Sequence, residues 1–241
     1  MSTWIDVFVQ ICYNENNTRT EKGVTTLKKA YPIITITRQY GSSGRAIGRM
    51  LAEELGIPFY DDEIIEIASQ ESNFDPTLFK RAENTNAANS FLYAINRLGA
   101  GTTYNIPLSD QLFSATSSVI RNIAQTHPAV IVGRCADYIL KEETRTVNLF
   151  IQADMEYRVK QTMERTGLTA SRAEAHNKKL DRSQAAYYNF YADQKFGARE
   201  NYDLVLNTTD LEPRAVARFL KSYVELVLGE TLAQAKHETG F

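Results

Sequence analysis

Apolar residues fall along the chain in two rhythms. Short β-branched runs such as Pro32 to Arg38 (PIITITR), Ala129 to Gly133 (AVIVG) and Thr146 to Ala153 (TVNLFIQA) carry no clean alternation, which suits strands buried on both faces. Two further short segments, Ile57 to Tyr60 and Tyr202 to Thr208 (YDLVLNT), read the same way. Between the runs the period lengthens to that of a helix. Arg45 to Leu55 places Ile47, Met50, Leu51 and Leu55 on one face before Gly56 stops it, and Asp154 to Arg165 and Glu212 to Leu228 are patterned alike. Strand alternating with helix predicts an α/β fold with a parallel sheet under right-handed crossovers.

Two stretches depart from the alternation. Residues 69–125 are rich in Asn and aromatics with Gly99 and Gly101, and residues 167–201 are charged and tyrosine-bearing, so both read as insertions over the sheet edge. Residues 1–30 end in a polar run that reads as a linker or N-terminal extension, leaving 31–241 as the main domain. An extra edge strand, a homodimer contact or a mispredicted start are the readings open for that extension.

Composition narrows the function. The chain has 241 residues with a formal net charge of −2, 43% hydrophobic and 23% charged, the profile of a folded soluble protein. Near balance of charge excludes a nucleic-acid binder resting on gross electrostatics, so anion recognition has to be local. Cys12 and Cys135 are too far apart for a C-x-x-C site, which points to reduced thiols and a cytoplasmic setting. The apolar stretch Trp4 to Tyr13 is far shorter than the roughly 20 residues that span a bilayer, so no membrane segment is expected.

Chemistry concentrates in Ile36 to Gly48 (ITRQYGSSGRAIG), where a strand feeds a glycine turn that opens a helix. Backbone N–H groups at a helix N-terminus bind anions, and phosphate is the natural guest of such a turn. Gly41 and Gly44 let the backbone curl, Ser42 and Ser43 add hydroxyls, and Arg45 adds a fixed charge. The Walker A pattern G-x-x-x-x-G-K-[ST] is absent: Arg45 stands where its lysine would be, and Ala46 where its hydroxyl would be. The bland alternative is a turn that only joins strand to helix.

Together with Gly41-Ser-Ser-Gly-Arg-Ala-Ile47, the segments Ile57-Pro-Phe-Tyr-Asp61, Val130-Ile-Val-Gly-Arg134, Asp181-Arg182 with Tyr187-Tyr188, and Tyr202-Asp-Leu-Val-Leu-Asn207 resemble the cytidylate kinase-like family of P-loop proteins over residues 32–228. The resemblance implies a three-layer α/β/α fold with a five-stranded parallel sheet, an acceptor-binding helical insertion (69–125) and a lid (167–201). It implies transfer of the ATP γ-phosphoryl group to a nucleoside monophosphate, cytidylate being the eponymous acceptor, with Mg²⁺ as cofactor. On this resemblance Gly41, Ser42, Ser43, Gly44, Arg45, Ala46 and Ile47 form the donor phosphate loop, Asp61 and Asp62 begin the acceptor pocket, and Arg134 lies by the acceptor. Lys179 and Arg182 belong to the lid and close on the phosphates, while Asn207 and Thr208 lie near the donor base. No residue is assigned as a dedicated metal ligand.

Cytidylate kinases carry an acidic residue after the Gly-Arg pair, where this chain has Cys135. Each assignment also has a structural competitor. Asp61 and Asp62 suit the cap of a helix starting at Glu63, Arg134 could pair with Asp137, and Lys178, Lys179 and Arg182 could form a solvated helix face. Tyr187, Tyr188 and Tyr191 read as packing residues, with a platform for a base as the alternative. Two rival functions stay open: a nucleotide-binding regulatory protein without turnover, and a kinase for another small acceptor. A dinucleotide oxidoreductase is disfavoured because G-x-G-x-x-G is absent.

Overall fold

The structure is a computed structural model and describes residues 30–84, 107–142 and 145–241. The extension 1–29 and the central part of the first insertion, including Gly99 and Gly101, lie outside the described residues.

In chain order the elements are β1 (Ile33–Arg38), α1 (Gly44–Leu55), β2 (Phe59–Tyr60), α2 (Glu63–Ser72), α3 (Pro76–Asn84), α4 (Leu108–Thr126), β3 (Ala129–Val132), α5 (Ala136–Ile139), β4 (Thr146–Gln152), α6 (Met155–Thr166), α7 (Ala170–Ala192), β5 (Leu204–Asn207), α8 (Pro213–Leu228) and α9 (Glu230–Thr239). All five strands run parallel in the order β2-β3-β1-β4-β5. The α/β class and the five-stranded parallel sheet read from the sequence are therefore present. β2 is shorter than the apolar run that signals it, because Ile57 hydrogen-bonds back to Ala52 and Pro58 has no N–H to give the ladder.

The strands look unpatterned because each face has its own core. Ile33, Ala129 and Ile131 pack with Ile64, Ile65, Leu112, Ile120 and Ile123 of α2 and α4 on one side. Ile34, Ile36, Val130, Val132 and Leu149 pack with Ile47 and Leu51 of α1 and Leu220 and Val224 of α8 on the other. Each such side chain contributes roughly 1.5–3 kcal/mol when fully buried. Helix α9 was not signalled by the sequence pattern; it follows Gly229, whose φ of 49° breaks the chain direction after α8.

Residues 167–201 do not form a loose excursion. Their centre is the continuous 23-residue helix α7, which packs against α6 and α3. No helix among the described residues is long and apolar enough to cross a membrane.

Candidate functional site

Strand β1 lies between β3 and β4, the two neighbours reached by crossovers in opposite directions, so the crevice of this sheet opens at its carboxyl end. Residues 39–43 connect that end to α1. Ser43 is the N-cap of α1 with φ 64°, and Gly41 has φ 81°. These left-handed residues turn the chain abruptly into the helix.

Side chains fix the turn from below. The buried Ser42 hydroxyl donates to Gln39 O at 2.8 Å, and Thr208 Oγ1 donates to Ser42 O at 2.9 Å. Asp181 of α7 accepts from the Tyr40 N–H at 2.8 Å and pairs with Arg158 of α6 at 2.6 Å, while Arg158 also donates to Tyr40 O. The N–H groups of Gly41, Ser43, Arg45 and Ala46, by contrast, donate to no acceptor among the described residues.

All four of these residues line a cavity of about 1100 Å³ that reaches from the turn across the ends of β1 and β3 to α7. Its walls carry Arg38, Arg45, Arg49, Arg134, Arg165, Arg214 and Lys80 against Glu53, Asp61, Asp62 and Glu164, an excess of positive charge in a protein that is slightly acidic as a whole. The surplus cation that the overall composition hides is gathered here.

Asp61 and Asp62 do not cap α2: no side-chain cap bond forms, and Asp62 has helical backbone angles. They bridge two arginines instead. Arg45 reaches Asp61 through Nε and Asp62 through Nη2 at 3.1 Å; Arg134 reaches Asp62 at 3.0 Å and Asp61 at 3.6 Å. Arg134 therefore does not pair with Asp137, which accepts from the Tyr188 hydroxyl at 2.6 Å and whose carboxyl burial raises above the ordinary aspartate range. Arg134 and Cys135 have φ of 60° and 56°, and with Gly133 at 74° they make three left-handed residues in succession at the end of β3. Such backbone strain gathers at functional sites, and here it aims Arg134 at the aspartates. The Cys135 thiol is pushed far up by burial and is no nucleophile.

Lys179 and Arg182 are not brought to this cavity. The α7 residues that line it are Leu180, Gln184, Tyr187 and Tyr188, spaced by four, three and one along one face. Lys179 and Arg182 fall off that phase and are exposed, on the solvated face of the helix. Asn207 and Thr208 do not line it either: Asn207 bonds Asp154 and Thr209, and Thr208 holds the turn. Tyr187 and Tyr188 do line it, and Tyr191 stacks on Phe113 with 4.1 Å between centroids.

The sequence reading missed Arg38, Arg49, Lys80, Arg165 and Arg214 as cavity residues. Only Arg38 had a visible signal, a charge closing a buried strand directly before the glycine turn. The others meet only through folding.

A triphosphate fits these residues, with open N–H donors and clustered guanidinium groups. Magnesium has less to meet. Ala46 offers no hydroxyl, no group of three or more His, Cys, Asp and Glu among the described residues is placed to hold a metal, and Asp61 and Asp62 are the cavity-lining carboxylates that pair with Arg45. Mg²⁺ commonly keeps several waters and takes one or two protein carboxylates, so these two residues fit an ion carried in on a nucleotide.

The topology and the glycine turn define the P-loop kinase type of α/β fold. The cytidylate kinase-like family model matches residues 33–210, and the chain belongs to that family. Among solved structures, an uncharacterized protein from Eubacterium ventriosum ATCC 27560 shares 24% identity at a TM-score of 0.60, covering 80% of this chain and 98% of its own. Fainter likenesses reach a shikimate kinase from Acinetobacter baumannii (15% identity, TM-score 0.43, 84% of this chain and 96% of that one) and a deoxyadenosine kinase from M. mycoides (9%, 0.43, 81% and 99%). No curated protein matches the sequence significantly.

Proposed function

We propose that the protein is an ATP-dependent phosphotransferase that moves the γ-phosphoryl group of ATP to a nucleoside monophosphate such as CMP. The observation that carries this reading is that the N–H groups of Gly41, Ser43, Arg45 and Ala46 have no acceptor among the described residues and lie at the wall of an arginine-rich cavity. Family membership supports it. Phosphoryl transfer asks a protein for alignment, charge neutralisation and exclusion of water more than for covalent work, and arginines with backbone donors supply the first two.

In this reading Gly41 to Ile47 hold the donor phosphates and Arg134 holds the acceptor phosphate. Asp61 and Asp62 keep Arg45 and Arg134 oriented until phosphate oxygens replace the carboxylates as partners. Mg²⁺, when bound with the nucleotide, screens its phosphate charge. Lys179 and Arg182 take part only if α7 moves.

Binding without turnover is favoured by one observation, that Arg45 and Arg134 are already paired with Asp61 and Asp62. Formation of ADP from Mg-ATP with a panel of nucleoside monophosphates separates the two. Acceptor-dependent turnover lost in Arg45→Ala, with Arg134→Ala raising the acceptor KM far more than the ATP KM, is the expected outcome. ATP-induced thermal stabilisation with no turnover of any acceptor would replace the kinase by a binding protein.

A further inference from the structure

Arg38 differs from the other arginines of the cavity. Its side chain runs between two glycines: a Cβ on Gly44 would lie 2.7 Å from Arg38 Cβ, and a Cβ on Gly133 would lie 2.6 Å from Arg38 Nη1. No side chain fits at either position without displacing it. The guanidinium is thereby carried from the start of α1 to the end of β3, the seam between the proposed donor and acceptor halves.

At that seam no carboxylate among the described residues pairs with it directly, whereas Arg45 and Arg134 each reach both aspartates. Its partner is neutral: the Gln184 amide, oriented to satisfy both groups, accepts from Arg38 Nη1 at 2.8 Å and donates to Arg38 O at 3.2 Å. Burial pulls its pKa below the ordinary arginine value; Asp61 opposes this, and Arg134 and Arg45 reinforce it. It still stays protonated at neutral pH.

A partly enclosed cation that no carboxylate pairs directly is costly to the fold, and the cost is recovered when an anion arrives. We infer that Arg38 binds the phosphoryl group that passes between the two substrates, its planar fork set on the equatorial oxygens. This rests on the kinase reading and deepens it by naming the group that neutralises the transferred phosphoryl. In the step, the bond from phosphorus to the β-bridging oxygen breaks, that oxygen leaves with the electron pair, and an acceptor phosphate oxygen supplies the new bond. Arg38 is unchanged by it.

Arg38→Met tests this, because it removes the charge and keeps much of the stem. Its Tm without ligand should equal or exceed that of the wild type. Its Kd for inorganic tripolyphosphate, measured by calorimetry, should rise roughly tenfold to a hundredfold. Arg38→Lys, which keeps a point charge and loses the fork, should fall between. A fall in Tm or loss of folding in Arg38→Met would make Arg38 a structural residue and overturn the inference, as would unchanged tripolyphosphate binding or undiminished turnover. Arg38-dependent binding without turnover of any acceptor supports the anion site and overturns the kinase reading instead. Wild-type protein that binds no tripolyphosphate overturns both.

Discussion

The two halves of the cavity are built from different material. At the glycine turn the donors are backbone N–H groups, fixed by Ser42, Thr208, Asp181 and Arg158 from beneath and left without acceptors at the cavity wall. At the ends of β2 and β3 the donor is the guanidinium of Arg134, bridged by Asp61 and Asp62 to Arg45 in the first turn of α1. A backbone site is preorganised and meets phosphate at little cost, since nothing has to let go. A compensated side-chain site has to exchange carboxylate for phosphate, so its affinity is a difference between two ion pairs. On the proposed function, the first half would accept any phosphate and the second would select among groups by what displaces its aspartates.

That comparison breaks first at Gly44. Gly44→Ala drives a Cβ into Arg38 and to within 3.2 Å of Ile151 Cβ, and overpacking of this kind costs about 1–3 kcal/mol. Urea unfolding should register that loss, and tripolyphosphate should no longer raise Tm. Retained binding in a folded Gly44→Ala protein would mean that the backbone half is not the phosphate site.

A smaller effect of opposite sign is expected at Asp62, which is half-exposed and shared by two arginines. Asp62→Asn frees both guanidinium groups from one competitor, so tripolyphosphate affinity should increase several-fold, within the range of an exposed charge pair. Weaker binding would show that Asp62 orients the arginines more than it competes with phosphate. The smallest effect belongs to the double variant Lys179→Ala with Arg182→Ala. Both side chains are exposed and off the cavity-facing phase of α7, so tripolyphosphate affinity should change by less than about twofold. A loss of turnover at unchanged tripolyphosphate binding would identify a motion of α7 that brings them in.

Much of the fold was legible because it is local. The β-branched runs, the 3.6-residue periods and the glycine turn each lie within a dozen consecutive residues, and parallel strands buried on both faces need no partner to be recognised. The short β2 and the helix α9 were read less well. Pro58 removes a ladder donor inside an apolar run, and α9 carries only Leu232 and Ala235 as buried residues, too few to mark a period.

The site was legible only in its backbone half. Gly41 to Ile47 are contiguous, and their meaning follows from the strand before and the helix after. Asp61 and Asp62 were visible as a pair but equally suited to capping α2, because capping and ion pairing ask for the same residue type. What separated the two uses was the distance to Arg45 and Arg134, residues 16 or more positions away in the chain. The basic pair at Lys179 and Arg182 was visible as well, and the phase of α7 left it facing water.

The sequence by itself therefore determined the class of fold and the strand–turn–helix unit with its glycine turn, since each depends on neighbours along the chain and on the fixed geometry of the peptide. Tertiary structure alone decided which charges meet. A protein of nearly neutral composition gathers seven cationic side chains around one cavity, pairs two of them through shared aspartates and leaves Arg38 with no ion pair among the described residues, because Coulomb energy depends on distance in space and on burial, and neither is written in the order of residues.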